Sequence, residues 1–477
     1  MILDRILLIY PPDSPKVWTN DVIYRMEPLA LEYIAACFTN SEVRIRDLRI
    51  EPDLEEYIKV FRPSLVGITG YTCHANTMLR LASLVKANDP KTVVMVGGIH
   101  ATVRPEDFNV QEIDYIVMGE GTSVLNEWLG KKGDPRGIAG MAYRSNNSIV
   151  FNKVRDYPDL GTLPMPRRSL VDHYRSKYIF DATSDFALVR TSLGCPYRCS
   201  FCCLWRLTGG RYLQRPIDQI ITDLKIIHQK NVFFADDESM IDGHRMMELA
   251  RRIKEEAIEK KYHLYTRVDT IVNNPELFAA WGEIGLEAVV IGFEAASDDR
   301  LARLNKNNTI EDQTKAMAIM RAIGIKAEVG FMIDPNFTRN DFMELRRYIR
   351  KEKYWRASIN ILTPLPGTDI YNKHENELIT KDWDYYNGYY ALLPTKLPFM
   401  EFYKMSRWVQ TTAIPYNQKL VKLLKLPFNV AIQNIWRYFK YRIYRYQKMR
   451  QGMLPHNISN TCVFLTLLIP LFYFLFS

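Results

Sequence analysis

Cysteine is scarce in this chain, at seven of 477 residues. So sparse and odd a set excludes the disulfide-dense scaffolds of small secreted domains. No apolar export segment opens the sequence, which begins Met-Ile-Leu-Asp-Arg, and a reducing cytoplasm is therefore the expected setting. Acidic residues are absent after Glu401, where eleven Lys and Arg occur. Those eleven outweigh the net charge of +9, so the rest of the chain is slightly acidic. A near-neutral body argues against nucleic acid as a partner, and the basic end points to an anionic surface.

What is present is a globular composition, 47% hydrophobic and 25% charged, in a chain too long for one ordinary domain. In residues 1–145 the runs RILLIY (5–10), VRIRDL (43–48), LVGIT (65–69), TVVMV (92–96) and DYIVM (114–118) alternate with helix-like segments. That pattern predicts a doubly wound, Rossmann-like α/β domain with ligands at the carboxyl ends of its strands. The loops GYTCHAN (70–76), GGIHAT (97–102) and GEGT (119–122) fall there, and their glycines let backbone approach a ligand closely.

A Pro-rich linker is expected over 146–184. From 185 to 375 six more runs, FALVRT, VFFAD, HLYTR, AVVIGFE, AEVGFM and SINILT, predict a partial (β/α)6 barrel of TIM type. Residues 376–455 read as a basic helical region and 456–477 as an apolar tail. The uncharged VFLTLLIPLFYFLFS is short for a bilayer crossing, and after a basic aromatic stretch it suits dipping into the anionic inner face of a membrane.

Four of the seven cysteines lie in GCPYRCSFCC (194–203). Structural zinc wants four ligands, and Cys203, adjoining Cys202, is badly placed to be the fourth. The CxxxCxxC spacing of Cys195, Cys199 and Cys202 instead suits a 4Fe-4S cluster with one iron left open. The strand ends of the expected barrel also carry Asp236, Asp237, Glu238, Arg267, Asp269, Glu294 and Asp334. With TPLPGT (363–368) after the sixth run, six strands thus bring polar groups to one mouth.

With Phe201 inside the motif, the loop resembles the radical S-adenosylmethionine superfamily, and the N-terminal domain is similar to the cobalamin-binding domain preceding the barrel in one branch. The resemblance implies that Cys195, Cys199 and Cys202 hold the cluster, that Phe201 adjoins it, and that the open iron binds S-adenosylmethionine. One-electron reduction, from a donor such as flavodoxin or ferredoxin, then yields a 5'-deoxyadenosyl radical. It implies that Glu294 and Arg267 contact S-adenosylmethionine, and that Asp236 and Asp237 face cofactor or substrate. Tyr71, Thr72, Gly97, Gly98, His100, Gly119 and Gly121 become the candidates for contacting cobalamin. Many cobalamin domains carry DxHxxG after the first strand, whereas this loop reads YPPDSPKVWTND; cobalt is expected to lack that histidine.

The blocks FFADDES, TRVDT, IGFEAAS and LTPLPGT resemble those of that branch, and the stretch from LGCPYRCSFCCLWRLTGGRYL through FFADDES to ALLPTKLPFMEFY looks most like the hopanoid C-3 methylase subgroup and is also similar to the anaerobic oxidative cyclase of chlorophyll synthesis. The expected activity is cobalamin-dependent methylation of an unactivated carbon in a lipid-like small molecule, with the enzyme peripheral to the inner face of the membrane. The alternatives are an oxidative cyclase or other radical modification of a tetrapyrrole or lipid, and a non-catalytic cobalamin or iron-sulfur sensor.

Overall fold

The apolar runs become strands because both faces of each sheet are covered, which rewards continuous rather than alternating hydrophobicity. The computed structural model describes residues 3–412, except 18, 20–23, 147, 181–182 and 353. Strands β1 (Arg5–Tyr10), β2 (Glu42–Asp47), β3 (Leu65–Thr69), β4 (Val93–Gly97) and β5 (Tyr115–Val117) pair in parallel. The antiparallel hairpin β6 (Met141–Ser145) and β7 (Ser148–Phe151) extends the sheet past residue 145. The order is β2-β1-β3-β4-β5-β6-β7. Since β1 has β2 on one side and β3 on the other, the winding reverses between β1 and β3, and a crevice opens at their carboxyl ends.

After a two-stranded ribbon of β8 (Ile179–Phe180) and β9 (Thr183–Ser184), the second sheet begins with β10 (Phe186–Val189). A small clasp of β11 (Ser192–Leu193) and β12 (Leu213–Gln214) brackets the cysteine loop. Strands β13 (Asn231–Phe234), β14 (Lys261–Thr266), β15 (Leu286–Glu294), β16 (Lys326–Ile333) and β17 (Arg356–Ile361) complete a parallel array in the order β10-β13-β14-β15-β16-β17. This is the open, six-unit barrel.

Its helices begin where short polar side chains can cap them. Thr309 and Asp312 form a reciprocal capping box before Ile310–Ile323, and Thr338 and Asp341 do the same before Arg339–Lys351. The first of these helices ends at Gly324, which takes the left-handed conformation. Trp281, fully buried, lies edge-on to Phe234 and Tyr262. Trp281→Ala would cost about 3–5 kcal/mol through the cavity it leaves.

The linker is more ordered than its prolines suggest. Arg168 and Arg175, from a 3-10 stretch at Arg168–Lys177, reach both domains. The Arg168 Nε donates to Asp223 of the barrel at 2.7 Å, and its Nη1 lies 3.5 Å from Glu27. Arg175 also bonds Glu27. Removing one member would strand a buried charge, which is why such networks are kept whole.

Residues 376–398 correct the expectation of a helical region starting at 376. Gly388, Pro394 and Pro398 break any helix there. The segment instead lies as a strap across the N-terminal domain, where Trp383, Tyr386, Tyr390 and Leu392 join the core built on Leu7, Ile9, Val66 and Ala101. Asp384 accepts hydrogen bonds from Ser14 and Asn76 at 2.6 and 3.2 Å. Helix Phe399–Thr412 then returns to the barrel, with Phe402 edge-on to Phe342. The rest of the basic region and the apolar tail lie outside the described residues. Among the described residues no helix is long and apolar enough to cross a membrane.

Candidate active site at the domain interface

The crevice of the first sheet faces the mouth of the barrel across a cavity of about 700 Å³. One wall carries Tyr71, Gly97, Gly98, Gly119 and Gly121, and the other Arg190, Leu193, Asp237 and Tyr265. Tyr71 and Tyr265 are 54% and 43% exposed. Both rings line the cavity without being packed over, as befits surfaces that a flat ligand covers. Gly98 has φ of +99°, and a Cβ there would stand 2.6 Å from the Gly70 carbonyl oxygen. Only glycine lets these two loops meet.

Two of the expected contacts are corrected. His100 is fully buried, and its Nδ1 and Nε2 lie 3.3 Å from Thr72 Oγ1 and 3.1 Å from Asp107. Its ring packs between Phe108 and Trp383. Neither His100 nor Thr72 lines the cavity, because the strap covers that side of the loop. His74 is also committed: the Tyr71 backbone N–H donates to its Nδ1 at 3.2 Å, and its Nε2 faces Asp13 at 3.1 Å. That pairing fixes the tautomer with the proton on Nε2.

The cysteine loop is held from several sides. Gly194, at φ of +89°, has no room for a Cβ against the Arg211 carbonyl oxygen, and its N–H donates to Asp237 at 2.7 Å. The Ser200 N–H donates to the Leu304 carbonyl and Asn305 to the Arg198 carbonyl, at 3.0 and 2.7 Å. Burial pushes the Cys195 thiol up to about 11 and Cys202 up to about 12. Unliganded, these groups hold their protons, and a metal must displace them.

Among the described residues the only trio of potential ligands within 4.8 Å of one another is Asp13, Cys73 and His74. Cys195, Cys199 and Cys202 lie close enough to influence one another, and three thiols on one loop suit a 4Fe-4S cluster with one iron left open.

Charge compensation comes from Arg267, just past β14. Its Nη1 lies 3.6 Å from Cys199 Sγ, and its guanidinium stacks 3.6 Å over the Tyr197 ring. Asp269 and the Lys306 carbonyl take its other donors at 2.8 and 2.6 Å. Glu238, completely enclosed, accepts from Thr266 Oγ1 and from the Arg267 backbone at 2.9 and 3.3 Å. Burial raises Glu238 to about 7.

Glu294 closes β15 in an uncommon backbone state, φ of +66°, where the pairing with β16 slips by one residue. Its carboxylate meets Lys306 Nζ at 2.8 Å, and Lys306 in turn lies over the Phe201 ring. A non-glycine residue held in this region signals strain tolerated for a site. Asp236 and Asp237 separate in role. Asp236 spends its oxygens on Thr191 and Ser192 and ties β13 to β10, whereas Asp237 Oδ1 has no hydrogen bond among the described residues. Sequence reading missed Arg190, Lys306 and Tyr265, which carry no motif; Arg190 and Tyr265 stand at the ends of β10 and β14, whereas Lys306 lies in the connection between helices Asp298–Arg303 and Ile310–Ile323 and has no such mark.

Residues 15–129 match the B12 binding domain family, and residues 189–349 the Radical SAM superfamily. The chain is 28% identical over 427 residues to the hopanoid C-3 methylase of Methylococcus capsulatus, covering 87% of this chain and 81% of the other. It is 30% identical over 411 residues to the uncharacterized methyltransferase PH0819 of Pyrococcus horikoshii, covering 80% and 86%. In fold it is similar to the radical S-adenosylmethionine methyltransferase TsrM from Kitasatospora setae, solved with cobalamin and a [4Fe-4S] cluster bound. The TM-score is 0.65 at 17% identity, over 87% of this chain and 90% of that one.

Proposed function

Because this chain belongs to the radical S-adenosylmethionine superfamily, in a branch whose barrel follows a B12-binding domain, we propose that it methylates an unactivated carbon of a lipid-like substrate, with C-3 of a hopanoid as the preferred target. It is a cobalamin-dependent radical S-adenosylmethionine methyltransferase. When bound, the cluster with S-adenosylmethionine supplies one-electron chemistry and cobalamin supplies the methyl group.

The observation that carries the reading is the single cavity shared by the glycine loops of the first domain and the barrel mouth. Cys195, Cys199 and Cys202 hold the cluster at the barrel rim, and Arg267 balances its charge beside Cys199. Glu294, pinned by Lys306, is positioned for S-adenosylmethionine. Gly97, Gly98, Gly119 and Gly121 let the corrin approach the sheet, and Tyr71 and Tyr265 exclude water from its faces. The hopanoid preference rests on the 28% identity to the C-3 methylase. The uncharged C-terminal run, suited to membranes, agrees with it.

The test supplies reconstituted enzyme with a reduced flavodoxin or ferredoxin, S-adenosylmethionine carrying a trideuterated methyl group, and membranes containing a triterpenoid. A product heavier by the labelled methyl is expected. Turnover of a tetrapyrrole ester to a ring-closed, unlabelled product would replace methylation by oxidative cyclization. Retention of cofactors with no turnover of either substrate would favour a sensor.

A further inference from the structure

Arg190 follows β10 directly and lines the barrel wall of the interdomain cavity. Its Nε is buried without a hydrogen-bond partner, and among the described residues Arg190 forms no ion pair. The charge lies close enough to act on Tyr33, Tyr71, Tyr157 and Asp237. Asp237 is held by the Gly194 N–H at Oδ2, and its Oδ1 is without a partner among the described residues.

A buried donor without an acceptor destabilises a fold and is rarely tolerated. A planar fork of donors beside a carboxylate oxygen is the complement of a primary carboxamide, whose carbonyl accepts from guanidinium while its NH2 donates to carboxylate. The rim of a corrin carries several such amides. On the reading that this cavity takes cobalamin, we propose that Arg190 and Asp237 together grip one peripheral carboxamide of the corrin from the barrel side.

The grip makes the barrel a participant in seating a cofactor whose other contacts come from the glycine loops. It also joins corrin seating to the cysteine loop, since the carboxylate that would take the amide's NH2 also holds Gly194.

The experiment uses the full chain with its cluster reconstituted and no substrate present. Hydroxocobalamin and dicyanocobinamide are titrated into wild type, Arg190→Ala and Arg190→Gln by absorbance and equilibrium dialysis. Cobinamide keeps the ring amides and lacks the nucleotide with its phosphate. Both variants are expected to bind both corrinoids about tenfold to a hundredfold more weakly, the loss of a charge-assisted hydrogen bond. The loss should be similar for the two ligands. Iron content near that of wild type shows that the barrel has folded. Unchanged affinity for both would overturn the proposal, and weakening confined to hydroxocobalamin would assign the guanidinium to the phosphate instead. A wild type that binds neither would remove the reading of the cavity and the proposal with it.

Discussion

The guanidinium Nη1 of Arg267 lies 3.6 Å from the sulfur of Cys199. A fixed cation at this distance favours the thiolate and, with a cluster in place, the electron added to it. Arg267→Gln should therefore lower the reduction potential of the cluster, on the order of 50 mV for a loss of about 1 kcal/mol in a one-electron step. A redox titration followed by electron paramagnetic resonance measures it; a potential that stays put or rises would separate Arg267 from the cluster.

Cys203 is buried and opens the short helix Leu204–Leu207. Cys195→Ala, Cys199→Ala and Cys202→Ala should each lose the cluster, and Cys203→Ala should keep about four irons per chain. Iron retained after changing Cys202 and lost after changing Cys203 would reverse the assignment.

His74 and His100 have their ring nitrogens engaged within the protein. The cob(II)alamin form should show no nitrogen superhyperfine splitting from a protein imidazole, in wild type and in His74→Ala alike. His100→Ala should instead lower stability by about 1–3 kcal/mol, since Thr72 and Asp107 lose a buried partner. A splitting that disappears with either histidine would show that the loop rearranges around cobalt.

Glu328 on β16 is buried beside Tyr24 and Arg356, and burial raises its pKa to about 7. A carboxyl whose folded pKa is raised binds more protons folded than unfolded, so its contribution is present below pH 4.5 and is lost as pH rises toward 7. The gap corresponds to at most about 3 kcal/mol. Thermal unfolding of wild type should weaken across pH 4.5–7, and Glu328→Gln should flatten that slope. A slope left intact in the variant would place the titrating group elsewhere.

Eleven cations without one acid end the chain, each worth up to about 1 kcal/mol near an anionic leaflet. Deleting residues 419–477, which removes nine of those cations together with the apolar run, should release the protein from anionic vesicles, scored by flotation, with its iron retained. Binding that survives the deletion would move the membrane contact elsewhere.

The parallel strands and the cysteine loop were legible because continuous apolar runs and fixed thiol spacing are local signals. The hairpin β6–β7 was missed, since Met141–Ser145 and Ser148–Phe151 are short and partly exposed. His100 was misplaced for a different reason. Its neighbours Gly97 and Gly98 do face the cavity, and what turns the histidine inward is Trp383, nearly three hundred residues later in the chain. Arg190 likewise stands in a stretch with no pattern of its own, and only the opposing domain reveals that its Nε lacks a partner.

The strap has a bearing on biosynthesis. Trp383, Tyr386, Tyr390 and Leu392 belong to the same core as Leu7 and Ile9, so the ribosome delivers the first strand long before the residues that seal it. The N-terminal domain therefore leaves the exit tunnel with an apolar flank uncovered, and it matures only once the barrel has been translated and the chain has turned back. A fragment cut between the two domains inherits that open flank, so aggregation of such a fragment would reflect its missing strap rather than any weakness of the sheet.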